Sequence, residues 1–531
     1  MKTDKLSQDP QVRLAAFWTF LFSLVSQGFR WFNTSFNHDS LIVWQIDGSK
    51  QLFLGRYLVP LWLLVRGKIG APLLIAGFSV CFLVLADILL VKILDIRKPR
   101  HIVILCALLS ACPVFTLLYA TFITATDIHL LSILFGVLSV WLCVRFERGW
   151  ILSALSLAMA MALYPSYAEV AAVLVILLMI KDFVLDRKTL SHPREIWKGP
   201  AFIVLGGIVY YAGWILSMRL LMDTDISASP FAYDYNSLNR LGDFRLANLP
   251  RLLAGTYTSF LGYLTHPETL QPRLAGFANL AVAAGACLLT SLSARKKAGL
   301  IPAAILILLL PLGANFAYIF SNGLAASLMM FSTILLYAGS VMSLEFGLPE
   351  GSGKAKRIVW RAARAVTFLA LCFLALNFIT FANQTHTKRA LEEEATLSVM
   401  TRVMDRIELT EGYVPGQTPV VLVGDLNKSA IAQSRGGYDT DPSAFWKKLS
   451  FSTTYFESYA VYFHNILGYP VNLGDRETAI RYSGMSEVSG MPAFPAPGCT
   501  RMIEGVLVVK LSDNISLQST SEKDRTYSDG Y

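Results

Sequence analysis

The sequence predicts an all-α polytopic membrane domain followed by a small C-terminal α/β domain, on three observations. Of its 531 residues, 54% are hydrophobic and only 16% charged, and the mean hydropathy is +0.50. Soluble globular chains are about one quarter charged. Apolar runs approach the roughly 20 residues that cross a hydrocarbon core of about 30 Å, and they recur as far as residue 382. Beyond that point the composition turns polar and mixed.

In order, spans are expected at 13–29, 71–94, 102–122, 128–145, 150–164, 166–183, 200–222, 274–293, 300–320, 323–345 and 361–382, about 11 crossings. The polar start MKTDKLSQDPQVR lacks a short apolar region with a small-residue cleavage site, so the first span is expected to stay as an anchor. One apolar run does not fit the count. GRYLVPLWLLVRGKIG (55–70) has too few residues between Arg56 and Arg66 to cross, so it is read as an interfacial or re-entrant helix.

Net charge is +9, but the basic residues sit in short loops between spans, which argues against nucleic acid as partner. These loops are DIRKPRH (95–101), RFERG (145–149), KDFVLDRKTLSHPREIWK (181–198), SARKKAG (293–299) and EGSGKAKRIVWRAAR (350–364). Every second loop is basic, as one consistent orientation requires. The N-terminus is then cytoplasmic. The outer face receives segment 30–70, the turn at 124–127, the tip at Tyr164-Pro165-Ser166, loop 223–273 and the C-terminal tail. Six of the seven cysteines lie in apolar runs and Cys499 in the tail, with no CxxC or Cys/His ligand spacing. Neither a disulfide framework nor a zinc site is supported.

Domain boundaries are expected at 1–382 and 383–531. In the second domain KRALEEEATLSVMTRVMDRIELTEG (388–412) has helical periodicity, and TPVVLVGDL (418–426) and GVLVVKLS (505–512) read as buried strands.

Few residues outside the basic loops could carry chemistry. Asp39 follows His38 just beyond the first span, with Trp31, Phe32, Phe36 and Trp44 nearby. A carboxylate there suits general-base work, or a solvated loop. Asp47, beside Gly48, reads as a turn. Arg56 opens the short apolar helix and could grip a phosphate bidentately or snorkel to headgroups; Lys50 and Arg66 share that ambiguity. Tyr164, Tyr167 and Glu169 cluster at a hairpin tip broken by Pro165, and an acid that close to a membrane is often functional. Asp127 and His129 lie on another outer turn. Loop 223–273 mixes tyrosines with Asp223, Asp225, Asp234, Arg240, Asp243, Arg245, Arg251, His266 and Glu268, a mixture that fits sugar binding or any wet loop. Asp87 and Asn315 read as packing or capping groups. P-loop, GxGxxG, HExxH and GxSxG motifs are absent.

Three stretches, FNTSFNHDSL (32–41), LGRYLVPLWLLV (54–65) and ALYPSYAEVAAVLVILL (162–178), together with AFPAPGCTRMIEGVLVVKLS (493–512), resemble the Gtr-type serotype-converting glucosyltransferases of bacteria. The likeness runs in order along most of the chain. The resemblance implies a GT-C-like polytopic enzyme of the inner membrane, transferring glucose or a related hexose from undecaprenyl phosphate to O-antigen or another envelope polysaccharide. It makes Asp39, with His38, the catalytic pair, and Arg56, Lys50, Arg240 and Arg251 donor- or phosphate-binding. Tyr164, Tyr167, Glu169 and Asp127 become pocket residues. No cofactor is implied, and the sequence offers no ligand set for a divalent metal. Membrane lipid, a donor flippase and a polyprenyl-phosphate glucosyl synthase are the implied partners. This chain has His38-Asp39 where the family often has Asn-Asp, and Pro165-Ser166-Tyr167 where the family's tip often has Tyr-Gln. The residues alone leave open an O-antigen ligase or polymerase, or a lipid-linked sugar flippase.

Overall fold

The computed structural model describes residues 9–33, 35, 46, 48–187, 189–190, 195–223, 246–267, 269–321, 323, 327–431 and 456–514. The chain forms two compact units: Met1–Phe32, Ile46–Tyr119 and Ile123–Asn383 in the first, Asn33–Gln45, Ala120–Phe122 and Gln384–Tyr531 in the second.

The first unit is helical. α1 (Pro10–Phe32), two short helices α2 (Gly48–Phe53) and α3 (Val59–Arg66), and α4 (Pro72–Leu94) come first. α5 (Pro99–Ser110) and α6 (Pro113–Thr121) follow, broken at Cys112 because Pro113 has no N–H to continue the ladder. Next are α7 (Thr126–Arg145), α8 (Gly149–Leu163), α9 (Ala168–Leu185), α10 (Lys198–Met222), α11 (Leu249–Thr265) and α12 (Pro272–Ser293). α13 (Leu300–Ala314), α14 (Ala317–Phe320), α15 (Phe331–Glu345) and α16 (Lys354–Glu408) complete the bundle. Among the described residues eight helices are long and apolar enough to cross a membrane, with shorter apolar helices at Gly149–Leu163 and Phe331–Glu345. The chain is a helical membrane protein.

Each expected span overlaps a helix, but 102–122 and 300–320 are each divided between two helices and 323–345 is described as an α-helix from Phe331; α3 is the short helix expected at 55–70. α4, α9 and α10 each end on an aspartate in the left-handed region, Asp95, Asp186 and Asp223, a conformation its short polar side chain tolerates. Two further features differ from expectation. α11 occupies part of what reads as the outer loop 223–273. The basic stretch 354–364 and the tail helix are one 55-residue helix, α16, since Asn383-Gln-Thr-His-Thr387 contains neither Gly nor Pro to stop it.

α1 buries its polar face. Thr19, Ser23, Ser26, Gln27 and Arg30 are inside, whereas Phe17, Phe20, Leu24, Val25 and Phe29 are exposed. Thr19 donates to Asp87 on α4 at 2.6 Å, Gln27 to Thr116 on α6 at 3.3 Å, and Arg30 to the Tyr119 carbonyl at 3.0 Å. Backbone and side-chain polar groups must be satisfied inside a bilayer, and this seam satisfies most of its own between helices, with Ser23 Oγ and Asp87 Oδ1 left without a partner.

The basic loops gather at one end of the unit. Arg97 and Arg187 both reach Asp95, Lys181 donates to the Leu94 carbonyl, and Lys296 pairs with Asp186. Burial works to raise the Asp95 carboxyl, but the hydrogen bonds from Arg97 and Arg187 bring it below its ordinary value. Glu345 joins His101 and Lys98, and Lys198 donates to the Glu147 carbonyl.

In the second unit β1 (Pro419–Val423), β2 (Asn472–Leu473), β3 (Thr500–Ile503) and β4 (Val506–Lys510) form a sheet in the order β2-β1-β4-β3. β1 runs parallel to β2 and β4, while β3 and β4 form an antiparallel hairpin. Its turn, Glu504-Gly505, has positive φ at both positions, matching the twist of the flanking strands. Val420 and Leu422 pack with Met400, Val403 and Ile407 of α16. Val421 and Val423 pack on the opposite face with Ala479 and Tyr482 of a helix at Arg476–Ser483.

Candidate functional site

The end of the first unit opposite the basic loops holds a polar and aromatic cluster. Gly55 turns the chain between α2 and α3 with φ of 78°. A Cβ there would lie 2.3 Å from the Tyr210 hydroxyl, so only glycine fits against α10. The Arg56 N–H donates to the Gln51 carbonyl at 2.9 Å, and the Leu58 N–H to the Ala162 carbonyl at 3.1 Å. These bonds fix Arg56 above the end of α8.

The Arg56 guanidinium lies 4.6 Å from the centre of the Tyr164 ring. One of its Nη donates to Gln51 at 3.3 Å, but its buried Nε has no hydrogen-bond partner. Among the described residues no carboxylate pairs with it. Tyr164 packs against His129 at 4.3 Å, and His129 Nδ1 is 3.0 Å from the Tyr167 hydroxyl. On the other side Tyr57 stacks on Tyr210, which stacks on Trp214. The Tyr210 hydroxyl is buried without a partner. Burial pushes the Tyr57 hydroxyl up to about 12, so it stays a neutral donor.

Asp127 is two residues before His129 on α7. Its Oδ2 accepts from Trp62 Nε1 at 2.7 Å and Arg66 Nε at 3.1 Å. Arg66 also donates to the Thr124 carbonyl at 2.6 Å and the Ile69 carbonyl at 3.2 Å. Both side chains of this ion pair are fully buried, and Asp127 Oδ1 has no partner. The pair anchors α3 to the bundle and so holds the turn that carries Arg56.

Glu169 points elsewhere. Its Oε1 accepts from the Ala317 N–H at 2.7 Å and its Oε2 from the Ser332 hydroxyl at 2.8 Å, which caps α14 beyond the break in α13. Both of its oxygens are thus engaged with the protein.

Of the residues singled out in the sequence, the fold brings Arg56, Tyr164 and Tyr167 together around His129, and sets Asp127 with Trp62 and Arg66. Lys50 is exposed on α2, and Arg251 is exposed in the first turn of α11. Asp39, His38 and Arg240 lie outside the described residues, as do Asp47, Asp225, Asp234, Asp243, Arg245 and Glu268. Among the described residues no three His, Cys, Asp or Glu side chains gather to hold a metal ion. Sequence reasoning missed Trp62, Tyr57, Tyr210 and Trp214. Trp62 and Arg66 stand four apart on α3, so they share a face, and that spacing was the available signal.

Fold and site define a helical membrane protein with a cationic, aromatic cluster at one end of its first unit. The chain belongs to the glucosyl transferase GtrII family, whose model matches residues 28–344. That range takes in every pocket residue described above and ends before α16. No curated protein and no solved structure matches the chain as a relative. It is a glucosyltransferase of glycan modification.

Proposed function

We propose that the protein transfers glucose, or a related hexose, from an undecaprenyl-phosphate sugar to O-antigen or another envelope glycan on the outer face of the bacterial inner membrane. The observation that supports this most is Arg56: a half-buried guanidinium with an unmet Nε donor and, among the described residues, no carboxylate partner, stacked on Tyr164. Such a group suits a phosphate, and a phosphate leaving group gathers negative charge in the transition state. The pocket lies opposite the basic loops, and basic loops favour the cytoplasm.

The chemistry is a single displacement with inversion. The acceptor hydroxyl attacks the sugar C1, the bond from C1 to the phosphate oxygen breaks, and polyprenyl phosphate departs with the electron pair. Asp39 is the proposed base that takes the hydroxyl proton, with His38 beside it. Tyr164, Tyr167 and the Tyr57–Tyr210–Trp214 stack offer faces and hydroxyls to the sugar, Asp127 holds the pocket's wall, and Lys50, Arg240 and Arg251 are further candidates for phosphate. No cofactor is required. A donor flippase and a polyprenyl-phosphate glucosyl synthase would supply the substrate.

The test is transfer of radiolabelled glucose from synthetic undecaprenyl-phosphate glucose to envelope polysaccharide by the purified full chain. Arg56→Ala is expected to lower kcat/KM by about 100-fold or more, the usual cost of removing one transition-state donor. Arg56→Lys should recover only part, because an ammonium cannot bind bidentately. Asp39→Asn should abolish transfer while melting like wild type. Absence of transfer by the wild type would overturn the reading.

A further inference from the structure

The start of α16 carries a charge that the proposed reaction does not use. Its first three turns, KAKRIVWRAAR (354–364), hold Lys354, Lys356, Arg357, Arg361 and Arg364 and no acid. Trp360, Arg364 and Phe368 follow one another at intervals of four and so share a face. The Arg364 guanidinium lies 4.5 Å from the centre of the Trp360 ring. Phe368 meets the first turn of α5, with the Arg100 guanidinium 5.7 Å and the His101 ring 6.0 Å from its centre.

The charges in this contact do not cancel. Glu345 is already engaged: its Oε1 accepts from the N–H groups of Arg97 at 3.3 Å and Lys98 at 3.0 Å and lies 2.7 Å from His101 Nδ1, while its Oε2 is 3.8 Å from Lys98 Nζ. Among the described residues no carboxylate pairs with Arg100 or Arg364. Burial, then the charge of Arg364, outweigh Glu345 and hold the Lys98 ammonium below its ordinary value, with Arg100 acting in the same direction. Two donors of the α16 face, Arg364 Nη2 and Trp360 Nε1, are buried without an acceptor. Buried donors are ordinarily met, so this pair marks a place for an anionic oxygen.

We propose that Arg364, Trp360 and Arg100, with Lys98 at the rim, form a headgroup site for an anionic phospholipid of the leaflet that meets the basic end. Basic sites between membrane helices hold phospholipid headgroups in this way. Arg364 Nη2 and Trp360 Nε1 donate to the phosphate oxygens, and Arg100 and Lys98 balance the charge. The surroundings favour a lipid over a soluble phosphate. Ile358, Val359, Val366 and Leu369 of the same helix are exposed and apolar, and α16 contains a stretch apolar enough to cross a membrane. An anion that brings its own acyl chains lays them on that surface. The site does not depend on the reaction proposed above.

The experiment titrates the full-length protein in detergent with phosphatidylglycerol, or with phosphatidylcholine, whose phosphate charge is cancelled, and counts bound lipid by native mass spectrometry. The wild type is expected to hold phosphatidylglycerol about tenfold more tightly. Arg364→Gln should weaken that binding about five- to tenfold, the worth of one cation at a charged headgroup. Trp360→Phe, which keeps an aromatic ring and removes the N–H, should weaken it about threefold. Both should melt like the wild type without lipid, since neither loses a hydrogen-bond partner. Arg148→Gln, an exposed cation between α7 and α8, should bind as the wild type does. If Arg364→Gln lowers the melting temperature, Arg100→Gln, at an exposed side chain, decides in its place and should show a similar loss. Equal affinity for the two lipids, or wild-type binding in both the arginine and the tryptophan variants, would overturn the proposal. Glycerol phosphate binding as tightly as phosphatidylglycerol would overturn it too, because the ligand would then be a soluble phosphate.

Discussion

Gly55 concentrates several demands on one residue: a left-handed turn, close approach of the Tyr210 hydroxyl, and the aim of Arg56. Gly55→Ala therefore strains the backbone by about 1 kcal/mol or more and drives a methyl into Tyr210 as well. Glucose transfer is expected to fall at least tenfold while the chain remains folded, read from initial rates beside a melting curve. Asp127 makes a different kind of demand. Removing its charge in Asp127→Ala leaves Arg66 buried and unpaired, which costs about 3–5 kcal/mol and should lower the melting temperature in detergent by many degrees. At this scale the sequence was half legible. Arg56 could be chosen because a cation beside a short apolar helix is conspicuous. The partner of Asp127 could not, because 61 positions separate it from Arg66 and only tertiary packing brings them together.

At the scale of elements, the broken helices explain Glu169. Pro311 lies inside α13, the helix ends at Ala314, and α14 starts at Ala317 with its first N–H groups exposed to an apolar interior. A helix start inside a membrane needs acceptors, and Glu169 supplies one while also binding Ser332. Glu169→Ala should destabilise the protein by about 1–3 kcal/mol, the cost of leaving buried donors unmet, with Glu169→Gln losing less; thermal melting separates them. An acid near a membrane boundary was visible in the sequence, but its partners were not, since nothing local distinguishes a capping carboxylate from a catalytic one. Most of the spans were legible because each depends on a long apolar run, whereas the breaks within 102–122 and 300–320 were not. α11 was not, because LPRLLAGTYTSFLGYLT alternates small, polar and apolar residues in a stretch flanked by charged and aromatic ones. α16 was read as two pieces because hydropathy falls at residue 383, whereas helix propagation depends on backbone and only Gly or Pro would have interrupted it.

Over the whole first unit, the basic loops occupy one end and the Arg56 pocket the other. Under the proposed orientation, with the basic end in the cytoplasm, Lys50→Cys in a cysteine-free background should react with a membrane-impermeant maleimide added outside the membrane. Lys296→Cys should react only after that membrane is opened. The reverse pattern would turn the pocket toward the cytoplasm and remove the need for a flipped donor.

The polar face of α1 bears on how the protein is made. A segment that emerges from the ribosome ahead of its partners meets lipid before they exist, and Thr19, Ser23, Gln27 and Arg30 are poorly suited to that meeting. Their partners on α4, α5 and α6, among them the Ser110 carbonyl that accepts from Gln27, are synthesised some 70 to 90 residues later. During that interval α1 is a provisional occupant of the bilayer, best sheltered by the insertion machinery. Its lasting place is secured only when Asp87, Ser110 and Thr116 arrive to take up its hydrogen bonds.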